Sequence, residues 1–130
     1  MRDIDDAKYI SFTTFKRDGT PKATPVWITG SDGDHLFYTG ADAWKTKRLR
    51  NDSRVEVQVC DMRGRVEQGT PVHRGTAEVL ADEGSIAEAK QAVADKYGWQ
   101  AAVARLVDGV RAKLGRGDDP VAIRIALDAR

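Results

Sequence analysis

The sequence predicts a mainly β chain of the α+β class, a six-stranded antiparallel barrel plugged or flanked by helices. Three observations lead there. The first eighty residues carry β-rich segments separated by tight turn signals. After residue 84 the apolar period changes from that of a strand to that of a helix. Strict alternation then returns at Val121, Ile123, Ile125 and Leu127. A βαβ nucleotide fold is excluded, because turns this short cannot carry parallel crossovers.

Taken in order, Tyr9 to Phe15 is rich in β-formers, and Asp18-Gly19 in the following Lys16–Thr20 stretch signals a hairpin. Ala23 to Thr29 is the second strand, with Pro25 near its start, where a missing N–H is tolerated at an edge or bulge. Ser31-Asp32-Gly33-Asp34 is a second hairpin turn, and His35 to Thr39 returns from it. Trp44 to Asn51 lacks alternation and reads as a short helix. Val55, Val57 and Val59 then oppose Glu56, Gln58 and Cys60 on a strand. Asp61 to Gly69 is a polar, glycine-bearing turn before a strand from Val72 to Leu80.

Ser85-Ile86-Ala87-Glu88 matches a capping box with Ser85 as N-cap. Ile86, Ala89, Val93 and Tyr97 share a face of that helix, and Gly98 stops it. A second helix carries Val103, Leu106, Val107, Val110 and Leu114 and ends at Gly115. The strand from Val121 to Leu127 completes the sheet. No repeat or linker divides the 130 residues, so 1–130 is one domain.

With 41% hydrophobic and 32% charged residues the chain is no disordered polymer, and no apolar run approaches the length of a membrane span. The N-terminus lacks the layout of a signal peptide. A single cysteine, Cys60, leaves no internal disulfide and fits a reducing cytoplasm. His35, His73 and Cys60 stand too far apart in sequence for a metal-ligand motif. Dinucleotide, Walker, zincin and nucleophile-elbow signatures are all missing. Asn51-Asp52-Ser53 fits a glycosylation sequon without any sign of secretion, and Arg116-Gly117-Asp118 is expected to be a plain turn. His35 and His73 are expected to be exposed beside turns, and Cys60 to be a small buried residue.

Net charge is +1, which argues against a nucleic-acid track. The distribution is nonetheless uneven, since Lys45, Lys47, Arg48, Arg50 and Arg54 face the single acid Asp52. A helix that starts at Trp44 presents free N–H groups and positive potential. Lys45 and Arg48 share its face, with Thr39 and Thr46 as neutral donors nearby. This combination predicts a site for a small phosphorylated ligand.

Thr13-Thr14-Phe15-Lys16-Arg17-Asp18-Gly19-Thr20-Pro21, followed by Thr24-Pro25-Val26-Trp27-Ile28, resembles the opening of the pyridoxamine-phosphate-oxidase-like split β-barrel flavoproteins. The run from Lys45 to Val55 and then Cys60-Asp61-Met62-Arg63-Gly64 is similar to the branch that binds the deazaflavin coenzyme F420. The resemblance covers residues 9–80 well and the rest in layout only. It implies a six-stranded split barrel of the FMN-binding type, with a short helix and two helices in the C-terminal half. It also implies a homodimer with cofactors at the interface. Pro25, Val26, Trp27 and Ile28 would line the ring pocket. Tyr38, Thr39, Trp44, Lys45, Lys47 and Arg48 would meet the phosphate and its linker. Gly64 and Arg65 fall in the turn through which a partner subunit is expected to reach the cofactor.

One departure bears on the cofactor. Pyridoxamine phosphate oxidases carry a basic residue for FMN phosphate on the strand that here reads Pro25-Val26-Trp27-Ile28-Thr29-Gly30, without one. The expected cofactor is therefore F420, with FMN second. The expected activity is hydride transfer between F420 and a conjugated acceptor such as an enone, quinone or tetrapyrrole. A reduced deazaflavin donates hydride itself, so no catalytic triad is needed, and Tyr38 or solvent would supply a proton. The competing readings are a non-catalytic F420 or FMN binder and an FMN-dependent oxidase.

Overall fold

The computed structural model describes residues 2–98 and 119–128. A single turn of helix, α1 (Arg2–Asp5), precedes β1 (Tyr9–Phe15), β2 (Pro21–Trp27), β3 (Thr29–Ser31) and β4 (Asp34–Gly40). Then follow α2 (Trp44–Asn51), β5 (Arg54–Val59), β6 (His73–Leu80), α3 (Glu83–Tyr97) and β7 (Pro120–Leu127). All strands join one antiparallel sheet in the order β2-β1-β5-β6-β7-β4-β3. Among the described residues no helix is long and apolar enough to cross a membrane.

The strand order dictates the shape. β2 and β3 are the two outer strands, yet they are consecutive in sequence with only Ile28 between them. Laid flat, seven strands would separate their outer members by about 29 Å, far beyond the reach of one residue. The sheet must therefore curl until its edges meet at Ile28, which makes a half-barrel. Its inside is filled by alternate residues of each strand: Ile10 and Phe12, Val55 and Val57, Ile123 and Ile125. Phe12 and Phe37 close the middle edge to face, 5.1 Å apart. On the outer side α3 sets Ala89 against Leu36 of β4 and Ala122 of β7.

The segment expected as one strand over Ala23–Thr29 is thus two, and the barrel has seven strands instead of six. The reason lies in α3. The Ile28 N–H donates to the Tyr97 hydroxyl at 2.9 Å, and the Ile28 carbonyl accepts from Lys96 Nζ at 2.7 Å. The same hydroxyl reaches the Lys8 carbonyl at 2.7 Å. Backbone groups that would have continued a ladder are taken by side chains, so the chain turns. Burial pushes the Tyr97 phenol up to about 12, which keeps its proton available for these bonds. We expect Tyr97→Phe to cost about 1–3 kcal/mol, because it strands a buried N–H while leaving the ring in place. Urea denaturation should show a lower midpoint at an unchanged m-value; an unchanged midpoint would mean that the corner does not depend on the hydroxyl.

Other elements stand close to expectation. α2 runs from Trp44 to Asn51, as its lack of alternation suggested. The Asp32-Gly33 turn has both residues at positive φ, 52° and 81°, the twist that a two-residue hairpin prefers. Pro25 stands on the outer strand β2, where its missing N–H costs no ladder bond to a further neighbour. Ala89, Val93 and Tyr97 are buried on one face of α3. Its N-cap, however, is Asp82 and not Ser85, since the Asp82 carboxylate accepts the Ser85 N–H at 2.9 Å. An ionised cap complements the helix dipole better than a hydroxyl, and it draws Glu83 and Gly84 into the first turn. β7 completes the sheet, as expected, from a place between β6 and β4. The helix expected over 103–114 and the turn at Arg116-Gly117-Asp118 lie outside the described residues.

Candidate functional site

β1, β2, β4 and α3 surround an open cleft of about 310 Å³ at the Ile28 end of the barrel. Pro25, Val26 and Trp27 form one wall, and Tyr38 and Thr39 from β4 form another. The register explains the aromatic side, because Tyr9 of β1 pairs directly with Trp27 of β2. Trp27 stacks on Tyr97 with centroids 4.4 Å apart and planes within 9°. The same tyrosine that turns the backbone at Ile28 therefore also fixes the indole. Tyr38 packs against the Val93–Tyr97 surface of α3, with Lys90 Nζ 6.0 Å from its ring centre. The cleft is mostly apolar and large enough for one planar ring system.

Thr39 connects this cleft to α2. The next residue, Gly40, accepts a 2.8 Å hydrogen bond from the Thr46 hydroxyl in the first turn of the helix. That helix begins without a side-chain cap at Ala43 and without an acid in its first turn. α3, in contrast, is closed by the Asp82 carboxylate. The first N–H groups of α2 thus keep their partial positive charge without a side-chain cap. Lys45 is half-buried here, and burial together with nearby Arg48 pulls its ammonium below the usual lysine range. Among the described residues neither Lys45 nor Arg48 has a carboxylate partner. Four other arginines do, in the pairs Arg54–Asp52, Arg65–Asp61, Arg74–Glu56 and Arg124–Asp34. Lys45 in the uncapped first turn, partly dehydrated, and Arg48 one turn further on together favour an anion.

Trp44, Lys47 and Arg48 border a second groove of about 530 Å³. Its far bank is the β1–β2 hairpin, with Lys16, Arg17 and Lys22. These three cations were not among the residues expected at the site, being more than twenty positions from α2 in sequence. Trp44 is 70% exposed with Lys47 Nζ 4.9 Å from its ring centre. Arg17 reaches the Asn51 side chain at 3.4 Å.

The remaining expected site residues are placed differently. The Ile28 side chain is in the barrel core and 1% exposed, so only its backbone lies near the cleft. Gly64, at a φ of +87°, packs so tightly that a Cβ there would stand 3.3 Å from Pro25 Cδ of the same chain. The Arg65 guanidinium is held by Asp61 at 2.9 Å. Met62, which sequence reasoning passed over, lines the cleft from the same turn.

Neither histidine reaches the cleft. His35 is not exposed as expected but 1% exposed, covered by α1. Its Nδ1 lies 3.1 Å from the Thr29 carbonyl, which can only accept, so Nδ1 carries the proton. Nε2 faces Asp5 Oδ1 at 3.7 Å without a hydrogen bond, and burial holds the imidazole below the usual histidine range. His73 is paired with Asp3 at 3.0 Å. Burial and then Asp61 push the half-buried Cys60 thiol up, away from a nucleophilic thiolate. No group of three or more possible metal ligands occurs among the described residues.

A family model described as pyridoxamine 5'-phosphate oxidase matches residues 2–126. No curated protein matches the chain. Among solved structures, a conserved hypothetical protein from Mycobacterium tuberculosis is similar at 21% identity and a TM-score of 0.69, over 98% of this chain and 78% of that one. An F420 reductase is similar at 18% identity and a TM-score of 0.63, over 98% and 92%. HutZ, the heme storage protein from Vibrio cholerae, is similar at 11% identity and a TM-score of 0.69, over 99% and 87%. At these identities the likeness to solved structures is one of fold, and the fold carries both redox and storage proteins.

Proposed function

The chain belongs to the pyridoxamine 5'-phosphate oxidase family, and from that premise we propose that it is an oxidoreductase that uses coenzyme F420 to reduce a conjugated organic acceptor. The acceptor class is an enone, quinone or tetrapyrrole-like molecule. The observation that carries this reading is the uncapped start of α2 with Lys45 and Arg48 lacking carboxylate partners among the described residues, joined by Gly40 to an aromatic-walled cleft. A phosphorylated cofactor with a planar ring needs both features side by side. The absence of a basic residue on Pro25–Thr29 favours the deazaflavin over FMN.

When bound, the reduced deazaflavin supplies a hydride. The chain does the rest by placement. Lys45, Arg48 and the first N–H groups of α2 would hold the phosphate. Pro25 and Val26 would line the ring on one side, while Trp27, held by its stack on Tyr97, would exclude water from the cleft. Positioning of this kind supplies most of the rate when the donor needs no activation. Tyr38 lines the cleft, and its hydroxyl would give a proton to the reduced product. The cleft is open, and a second copy completing its mouth makes the working unit a homodimer. The free Cys60 thiol suits a reducing cytoplasm.

Fluorescence titration of the purified protein with F420, FMN and FAD tests the cofactor. Saturable quenching with F420 and weaker FMN binding is the expected result. Tight FMN binding without any response to F420 would reverse the choice. Single-turnover oxidation of reduced F420 by menadione then separates a reductase from a protein that only holds the coenzyme.

A further inference from the structure

The cleft has one wall unlike the others. Tyr9, Trp27, Tyr38 and Val93 come from strands and from α3, and their backbones are fixed by ladders or helix. Met62 comes from a loop and is 66% exposed, so its side chain stands out over the opening. The loop that carries it is nonetheless tightly closed. Asp61 Oδ1 accepts the N–H groups of Arg63 at 2.8 Å and Arg65 at 2.9 Å. Asp61 Oδ2 takes the Arg65 guanidinium at 2.9 Å, and the Asp61 N–H donates to the Arg65 carbonyl at 3.1 Å. The turn is tied to the cleft at both ends, through the Cys60 N–H to the Tyr9 carbonyl at 3.2 Å and through Gly64 against Pro25.

A rigid pedestal thus presents a flexible thioether. Methionine is unbranched and polarizable, adapts to irregular shapes, and favours contact with aromatic rings. We infer that Met62 is the adjustable wall that fits the cleft to the size of the planar ring it takes up, and that the Asp61–Arg65 turn serves to hold it there. This rests on the reductase reading above. It makes Arg65 a positioning residue for Met62, since its guanidinium is already spoken for by Asp61. It also places the turn in the service of its own chain's cleft.

The test measures how the empty cleft takes up planar rings of two sizes, by quenching of tryptophan fluorescence with menadione and with the larger 9,10-phenanthrenequinone. Met62→Ala should weaken menadione about tenfold by removing its contact, and leave the larger quinone within about twofold. Met62→Leu, of similar volume, should restore the wild-type order. Arg65→Ala should mimic Met62→Ala although it leaves the methionine in place. Equal changes for both quinones, or no saturable quenching of the wild-type protein, would overturn the inference. Failure of reduced F420 to pass hydride, with the quinone selectivity as expected, would overturn the reductase reading alone.

Discussion

Replacing Lys45 and Arg48 together by alanine is expected to weaken F420 binding by about a thousandfold. Each cation makes charge-assisted hydrogen bonds to phosphate worth about 1.5–3 kcal/mol, and tenfold in affinity corresponds to about 1.4 kcal/mol. The single variants should each lose roughly ten- to a hundredfold on the same scale. The fold should be spared, because neither side chain has a partner carboxylate among the described residues. Removing Lys45 also relieves a half-buried cation that Arg48 already repels. Added salt should weaken the wild-type protein's binding more than that of the double variant. Arg54→Ala is the control, since Arg54 is exposed and engaged by Asp52 at 2.7 Å. If the double variant binds F420 unchanged, the phosphate sits elsewhere.

The second large effect is expected at Val26. It lies half-buried on the outer strand β2, paired with Ile10 of β1, and its side chain forms part of the cleft wall. Val26→Trp places an indole into a space of about 310 Å³, leaving no room for a second ring system. Binding of the deazaflavin ring should be lost, with turnover below detection in single-turnover absorbance. Circular dichroism should stay near that of the wild type, because an outer strand can yield without breaking a ladder on its far side. Cys60→Ala and His73→Ala should keep substantial turnover, as neither residue lines the cleft. A lost proton donor costs about 10²-fold or more only where solvent cannot take its place. Loss of activity in Cys60→Ala with coenzyme still bound would reveal chemistry at that thiol.

Much of the barrel was legible in the sequence because local signals and tertiary demands agree. Asp18-Gly19 and Asp32-Gly33 make the turns that their chemistry prefers, and Val55-Val57 points inward as alternation requires. The corner at Ile28 was not legible, because apolar β-formers continue straight through it. Its cause, Tyr97, is sixty-nine positions away. His35 was misjudged for a similar reason, since α1 is a single turn, too short for any period, and it is what covers the imidazole. On the site, Lys45 and Arg48 could be read from one helix face. The hairpin cations Lys16, Arg17 and Lys22 reach α2 only through the curl of the sheet. Met62 carried no pattern at all, and only the Asp61 turn gives it a direction.

The central place of β7 has a consequence for how the chain is made. β4 and β6 each need β7 as a neighbour, and β7 is the last of the described strands to leave the ribosome. Until then a β2-β1-β5-β6 ladder and a β3-β4 hairpin, linked at Ile28, would each be left with a bare edge. At roughly 5–20 residues per second of synthesis, those edges stay open for seconds, long enough to pair with a neighbouring polysome product. The charges along the waiting strands act as guards in that interval. Glu78 and Arg74 on β6, and Asp34 on β4, are exposed and discourage the wrong partner before Arg124 arrives to claim Asp34.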